Sequence, residues 1–238
     1  MKYSGNKVLG VMSKYAKNRN KIIFSLILDS FNLSPESKTI LEFGAGKGEF
    51  INRFLKYKNI ATYAIEIDKD YRKILNAKHK TYEKTYQLDR KMNFIFCIDV
   101  LEHIKNDEAC LINLFHILKK EGRLFLYVPA RPELYSRFDK YIGHHRRYTL
   151  DELRSRVINA GFSIEKIYYH EFLGYFASIF NKLTSRGELN PRAVHIYDKY
   201  IFPVSIFIER LFQCPFGKSI ILLAKKDAAK HEKKQKVN

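Results

Sequence analysis

The feature that most constrains the fold is an apolar segment that runs directly into three glycines, TILEFGAGKGEF over 39–50. A short apolar run that ends at glycine is typical of a buried strand followed by a tight turn. Glycines let the backbone come close to a ligand, and a helix after such a turn presents free N–H groups to that ligand. The segment therefore predicts a strand, a turn at Gly44, Gly46 and Gly48, and a helix from Phe50 to Tyr57.

Apolar strands and helices alternate along most of the chain. Further strands are predicted at ATYAIEID, NFIFCIDV, RLFLYVPA, FSIEKIYYH and SIILLAKK. Helices are predicted at 8–33, 69–78, His103 to Gly122, and Thr149 (in a capping box) to Gly161. The polar stretch 79–92 is compatible with a short strand. Apolar strands separated by helices are typical of a sheet covered on both faces, so the predicted class is α/β with a doubly wound, mostly parallel sheet.

The same pattern suggests how the chain is divided. We expect a helical cap (1–37), a ligand-binding domain (38–169 and 216–226), a helical lid or insertion before the last strand (170–215) and a basic tail (227–238). The long irregular segment 129–148 is expected to contribute a lid or a binding element, because loops of this length are usually functional.

The segment 170–215 is rich in Phe, Tyr, Ile and Leu and predicts two amphipathic helices. Three uses fit it: a hydrophobic lid over the site, a dimer face, or a surface that lies on a membrane. In the last case the residues facing lipid headgroups would be Lys182, Arg186, Arg192, Lys199 and Arg210.

The spacing after the glycines discriminates between nucleotide ligands. A dinucleotide site needs a third glycine five residues after the first, but Glu49 stands there and its carboxylate would repel a pyrophosphate. The P-loop spacing is absent as well. Glu66, 22 residues after Gly44 at the end of the next strand, can accept both ribose hydroxyls, with Asp68 as the neighbouring alternative.

The G-x-G-x-G spacing, with Glu42 two residues before the first glycine, resembles motif I of the S-adenosylmethionine-dependent methyltransferases. Three further segments, IDVLEHIKND, YVPARPELYSRFDKYIGHHRRYTLDEL and PFGKSIILLAKK, resemble a bacterial subgroup associated with glycan or secondary-metabolite biosynthesis. The resemblance covers about 15–225. It implies a class I, seven-stranded Rossmann-like fold with N-terminal helices, and S-adenosylmethionine as cofactor with S-adenosylhomocysteine as product. It also implies methyl transfer to a small-molecule acceptor, most readily a hydroxyl of a sugar-like or secondary-metabolite compound.

By that resemblance the cofactor would be bound by residues from three segments. They are Glu42, Phe43, Gly44, Ala45, Gly46, Gly48, Glu66, Ile67, Ile98, Asp99, Val100 and His103. The residue that contacts adenine is not identified, and Asp89 is a weak candidate within the irregular stretch 79–92.

A hydroxyl acceptor must lose a proton, and histidine is the natural base because its pKa lies near neutrality. The segment GHHRRY follows a strand on the side where open parallel sheets bind ligands. We predict His144 as the general base and His145 as the second catalytic candidate.

The same segment supplies the predicted acceptor contacts, which are Tyr135, Arg146, Arg147 and Tyr148. Either arginine can bind a phosphate or carboxylate with two hydrogen bonds. The alternative is structural: the arginines pair with Asp139, Asp151 or Glu152, and Tyr148 packs against its helix. Asp139, His144 and His145 could ligate an ion, but histidines adjacent in sequence rarely converge on one, so no metal is predicted.

The net charge of the chain indicates which classes of partner it could bind. Lys and Arg number 43 against 25 Asp and Glu, a net charge of +18. This favours an anionic partner such as a phosphorylated substrate, nucleic acid or membrane headgroups, or else a lysine-rich solvated surface. An RNA-directed methyltransferase and a non-catalytic binding protein remain alternatives, although the segment Ile98–Leu101 lacks the [DN]-P-P-[YF] motif of enzymes that methylate base nitrogens.

Location follows from cysteine content and hydropathy. The three cysteines are scattered, no apolar signal-peptide core is present near the N-terminus, and no run reaches about 18 apolar residues. We expect a cytoplasmic protein, or one peripheral at the inner face of the membrane. It would act as a monomer or homodimer on a small-molecule, glycan or lipid-linked acceptor.

Overall fold

The computed structural model describes residues 6–31, 38–184 and 189–227. Arg186 and all but the first residue of the predicted basic tail lie outside these ranges. The chain begins with two helices, α1 (Asn6–Tyr15) and α2 (Lys17–Phe31), which meet at Ala16 instead of forming the single helix predicted over 8–33.

Within the described ranges seven strands form one sheet. They are β1 (Lys38–Phe43), β2 (Ile60–Ile65), β3 (Lys80–Tyr82), β4 (Met92–Ile98), β5 (Leu118–Pro129), β6 (Ser163–His170) and β7 (Ser219–Lys225). Their order across the sheet is β3-β2-β1-β4-β5-β7-β6, and only β7 runs antiparallel to its two neighbours. The predicted α/β class with a doubly wound, mostly parallel sheet is confirmed, and the seven strands match the Rossmann-like methyltransferase arrangement.

Helices connect most of the strands. They are a 3-10 helix (Ile51–Lys56), α3 (Lys69–Asn76), α4 (Asp107–Ile117), α5 (Arg137–Ile142), α6 (Leu150–Asn159), α7 (Phe172–Thr184), α8 (Pro191–Ile196), a π-helical turn (Tyr197–Ile201) and α9 (Phe202–Leu211). The predicted capping box is confirmed at the start of α6, where Thr149 Oγ1 accepts from the backbone N–H of Glu152.

Several predicted boundaries are wrong. The helix expected from His103 begins at Asp107, because His103 belongs to a separate 3-10 turn over Leu101–His103. The helix expected to stop at Gly122 ends at Ile117, because the chain already pairs with β4 from Leu118, opposite Met92. A Cβ at Gly122 would lie 2.9 Å from the carbonyl oxygen of Lys119, so this glycine serves a close approach within the strand. After the glycine turn, the helix is a 3-10 helix over Ile51–Lys56, shorter than predicted.

The core lies on both faces of the sheet. One apolar cluster includes Leu41, Leu111 and Val157 and covers the face under α4 and α6. The other includes Ile27 and Phe54 and covers the opposite face under α2 and the 3-10 helix. Burial on both faces explains why the strands are apolar throughout.

Candidate active site

The sheet order reverses between β1 and β4, and ligands of open α/β sheets bind outside the carboxyl ends of the strands at such a point. The glycine turn follows β1, and Asp99 follows β4. The structure therefore brings the two strongest sequence motifs to one crevice.

The turn after β1 has a backbone conformation that favours glycine. Gly44, Gly46 and Gly48 have φ angles of +76°, +53° and +83°, a region that residues with a Cβ rarely adopt. At Gly44 a Cβ would lie only 2.4 Å from Cγ2 of Val100 at the end of β4. Since the helix that follows the turn begins only at Ile51, the N–H groups near the crevice belong to the turn and not to a helix N-terminus as predicted.

Two buried carboxylates shape this turn. Glu66 accepts hydrogen bonds from the backbone N–H of Gly46 at 2.6 Å and of Asp68 at 2.8 Å. Glu42 accepts from the N–H of Ile51 at 2.9 Å, and its burial raises its pKa well above the usual range. Glu66 thus connects the end of β2 to the turn by hydrogen bonds, and the buried Glu42 forms a hydrogen bond with the backbone just after the turn.

Helix α1 lies over the turn. The position of a Cβ at Gly46 is 3.6 Å from Cδ1 of Leu9, and Ser13 Oγ donates to the Glu49 carboxylate at 2.8 Å. The N-terminal helices therefore form one wall of the crevice.

The other predicted cofactor residues take different positions around it. Ala45 and Ile98 are buried in the same apolar cluster, and Phe43 packs against the cluster on the opposite face. Ile67 is 80% exposed at the rim. Asp99, with φ at +52°, keeps 40% of its side chain exposed. Their contacts with a cofactor remain predictions.

Arg19 on α2 is a buried residue of this crevice that the sequence analysis missed. Its Nη2 donates to Asp99 at 2.7 Å, its Nε donates to Glu171 at 3.0 Å, and its guanidinium lies 4.9 Å from the ring centre of Tyr127. No local pattern could reveal these pairs, because Arg19 is 80 residues from Asp99 and 152 from Glu171.

Glu171 is the centre of that buried cluster. It also accepts from Tyr127 Oη at 2.6 Å and from Lys218 Nζ at 3.2 Å. Burial alone would raise its pKa, but the charges of Lys218 and Arg19 hold the pKa well below the usual range. The hydrogen bonds and ion pairs of this cluster hold α2 against the ends of β4, β5 and β6.

A second cluster surrounds His144. Its Nδ1 lies 2.8 Å from Oδ1 of Asp139, which also accepts from Arg147 Nε at 2.9 Å. Despite its burial, the hydrogen bond from His144 and the charge of Arg147 lower the pKa of Asp139 to about 2. An ionised carboxylate only accepts, so His144 donates through Nδ1, and in the neutral form of this imidazole the lone pair is on Nε2.

Glu102 and His103 complete this cluster. Oε1 of Glu102 lies 3.5 Å from Nε2 of His144, yet neither carboxylate oxygen of this fully buried residue has a hydrogen-bond partner. Burial and the nearby charge of Asp99 raise its pKa well above the usual range. His103, predicted beside the cofactor, lies with its ring centre 4.6 Å from that of His144, and burial lowers its pKa to about 4. The segment IDVLEHIKND contains Glu102, but no pattern in the sequence indicates that this side chain would lie beside His144.

The predicted acceptor residues are all engaged within the protein. Arg147 pairs with Asp139, as in the structural alternative, whereas Arg146 pairs with Asp107 at 2.7 Å. Tyr148 Oη also donates to Asp107, at 2.8 Å, and Tyr135 Oη donates to the carbonyl of His144 at 2.7 Å. His145 has an exposed side chain, and its backbone N–H donates to the carbonyl of Glu102. These contacts order the segment 129–148, and acceptor binding by its residues remains a prediction.

The chain is similar to known proteins in sequence and in fold. A family model described as a methyltransferase domain matches residues 15–167, more than half of the chain. A search of curated proteins finds no significant match.

Several solved structures share the fold. A protein from Bacillus halodurans assigned as a methyltransferase has a TM-score of 0.59 at 15% identity, covering 86% of this chain and 99% of its own. A coclaurine N-methyltransferase bound to N-methylheliamine and S-adenosylhomocysteine has a TM-score of 0.60 at 15% identity, with coverages of 87% and 72%. A mycolic acid cyclopropane synthase complexed with S-adenosylhomocysteine has a TM-score of 0.57 at 16% identity, with coverages of 86% and 83%.

Proposed function

This chain belongs to the methyltransferase domain family and is an S-adenosylmethionine-dependent methyltransferase, and we propose that its acceptor is a hydroxyl of a sugar-like or secondary-metabolite compound. The observation that carries the proposal of a hydroxyl acceptor is the pair of His144 and Asp139, which can take the hydroxyl proton. The glycine turn between β1 and β4 and the Glu66 carboxylate support donor binding.

The residues at the turn fit the donor. Each carboxylate oxygen has two lone pairs, so Glu66 can accept ribose hydroxyls while it keeps its two backbone donors. The missing Cβ at Gly44 makes room for Val100, and the missing Cβ at Gly46 leaves the backbone of the turn without a side chain, so that a ligand can approach that backbone closely. When bound, S-adenosylmethionine supplies a methyl carbon already activated by its sulfonium.

The chain itself would supply orientation and a proton acceptor. Alignment of acceptor and methyl group by a rigid site is worth about 7–11 kcal/mol. We assign His144 as the base, because Asp139 orients its ring and stabilises the imidazolium that forms when Nε2 takes the acceptor proton. With S-adenosylmethionine held at the turn, the methyl group would pass to the acceptor oxygen, and the sulfonium would become the neutral thioether of S-adenosylhomocysteine.

Calorimetric titration with S-adenosylmethionine, S-adenosylhomocysteine and NAD tests donor binding, and we expect the first two to bind and NAD not to bind. His144→Ala should keep the donor affinity and lose roughly 10²–10⁴-fold in turnover on a hydroxyl acceptor. His145→Ala tests the second catalytic candidate and should lose less, because that side chain is exposed; His116→Ala, which changes an exposed histidine on α4, is the control. Full activity of His144→Ala would show that His144 is not the base, and it would not affect the proposal of the donor site.

We further propose that the acceptor is lipid-linked and that the protein meets it at an anionic membrane surface. No described helix has the length and apolar character that a bilayer-spanning helix requires. However, α7, α8, α9 and the adjoining turns expose many large apolar side chains, among them Phe176, Phe180, Leu183, Val204, Phe207 and Phe212.

The charges around this apolar surface support a lipid partner. Over 172–184 and 189–217 the exposed charged residues are all basic, namely Lys182, Arg192, Lys199 and Arg210. Apolar insertion combined with basic residues is typical of binding to anionic lipid.

Sedimentation with lipid vesicles tests the membrane proposal. The protein should sediment with vesicles of anionic lipid and much less with phosphatidylcholine alone. The double variant Phe180→Ser/Phe207→Ser should lose this binding, whereas Ile158→Ser, which changes an exposed residue on α6, should not. If the wild-type protein does not sediment with anionic vesicles but forms a dimer that the double variant disrupts, the apolar surface is a self-association interface.

RNA binding that weakens steeply with increasing salt concentration would instead support the RNA-directed alternative.

A further inference from the structure

Three side chains near the end of β4 offer ligand atoms to a common point. One atom each from Glu102, His103 and His144 lies within 4.8 Å of the other two. We propose that these residues bind a divalent first-row transition metal ion. The inference concerns binding of a cation and does not depend on the identity of the methyl acceptor.

Glu102 is the strongest indication of a missing partner. The residue is fully buried, and neither of its carboxylate oxygens has a hydrogen-bond partner. Oε1 of Glu102 lies 3.5 Å from Nε2 of His144, but these two atoms do not form a hydrogen bond. Buried polar groups without partners are rare because their desolvation is uncompensated, and a cation between the carboxylate and the imidazole would compensate it.

Both histidines are oriented as metal ligands usually are. A metal-binding histidine typically uses its second ring nitrogen to donate to a carboxylate or a backbone carbonyl. Nδ1 of His144 lies 2.8 Å from the carboxylate of Asp139, and Nδ1 of His103 lies 3.2 Å from the carbonyl oxygen of Gly143. Arg147 in turn fixes Asp139 with two hydrogen bonds.

The distances are compatible with coordination. Two ligands at about 2.1 Å from a tetrahedral ion lie about 3.4 Å apart. The separation of 3.5 Å between His144 and Glu102 is already close to this value. Small side-chain rotations of His103 would bring the third ligand atom to the same distance.

The ligand set selects the class of ion. Two imidazoles and one carboxylate suit Zn²⁺, Mn²⁺ or Fe²⁺, whereas Mg²⁺ and Ca²⁺ prefer oxygen ligands. Three protein ligands leave at least one position open for water or a substrate oxygen. When the ion is bound, His144 is a metal ligand and cannot act as the base. Its assignment as the base therefore applies only to the metal-free protein. The measured metal content of the active protein shows which of the two roles His144 has.

Metal titration tests the inference. The protein is stripped with a chelator and titrated with ZnCl₂, MnCl₂ and MgCl₂ by calorimetry, and the metal content after dialysis is measured by mass spectrometry. We expect one transition-metal ion per chain and much weaker binding of Mg²⁺. Glu102→Gln and His144→Ala should weaken binding by roughly 100-fold or more, and Asp139→Asn by about 10–100-fold. His145→Ala, which changes an exposed neighbour, should bind as the wild type does.

Donor titration with S-adenosylhomocysteine on each variant shows that the fold and the donor site are intact, and it separates this inference from the proposed function. Failure of the wild-type protein to bind Zn²⁺ or Mn²⁺ would overturn the inference. Binding that is unchanged in both Glu102→Gln and His144→Ala would overturn it as well, because the ion would then lie elsewhere.

Discussion

Replacement of Glu171 by alanine should strongly destabilise the attachment of α2 to the sheet. The Glu171 side chain is completely buried and accepts hydrogen bonds from Arg19, Tyr127 and Lys218. The change removes one partner of a buried ion pair and leaves the Arg19 guanidinium, 9% exposed, with only Asp99 as its charge partner. Asp99 is itself 40% exposed and compensates the charge less well.

The magnitude follows from the burial. Removal of one partner of a buried ion pair costs about 3–5 kcal/mol, because the other charge stays desolvated. Glu171→Gln keeps the shape and can still accept from Tyr127, so we expect a smaller loss of about 1.5–3 kcal/mol. Glu165→Ala is the control, since its pair with Arg123 is partly exposed and is worth about 0–1 kcal/mol.

Urea denaturation followed by circular dichroism measures the free energy of unfolding of all three variants. We expect the order Glu171→Ala, Glu171→Gln, Glu165→Ala from the least to the most stable. If Glu171→Ala does not fold, the Glu171→Gln comparison still tests the reasoning. A loss below about 1 kcal/mol for Glu171→Ala, or one equal to that of Glu165→Ala, would refute the view that this carboxylate holds α2 in place.

Three other changes probe the crevice and the His144 cluster. Gly46→Arg should abolish S-adenosylmethionine binding in calorimetry, because a residue with a Cβ is strained at φ +53° and its large side chain, beginning 3.6 Å from Leu9 of α1, would cover the turn. Glu66→Ala should weaken that binding and leave the N–H of Gly46 without its acceptor, which hydrogen exchange at that amide would detect. Asp139, with a pKa lowered from 3.8 to about 2, contributes stability that is present above pH 4 and is lost as the pH falls through 2. Asp139→Asn should therefore cost about 2 kcal/mol at neutral pH and nothing additional at pH 2, and an equal deficit at both pH values would contradict the ion pair.

Much of the fold could be predicted from local patterns. The apolar strands, the capping box at Thr149 and the turn at Gly44 each depend on residues within one short segment. Boundaries were less predictable, because Leu118 leaves its helix to pair with Met92 on a strand that is distant in sequence. Here strand pairing outweighs the helical preference of the lysines that follow.

Local sequence patterns are enough to establish the α/β class, the glycine turn and the acid at the end of β2, because strand burial and turn geometry are encoded by neighbouring residues. Which charges meet depends on the packing of the whole chain. This packing pairs Arg19 with Asp99 and Glu171, and it brings His144 to Glu102. These contacts join segments far apart in the chain, and their energies depend on burial and geometry that exist only after the sheet and its helices have packed.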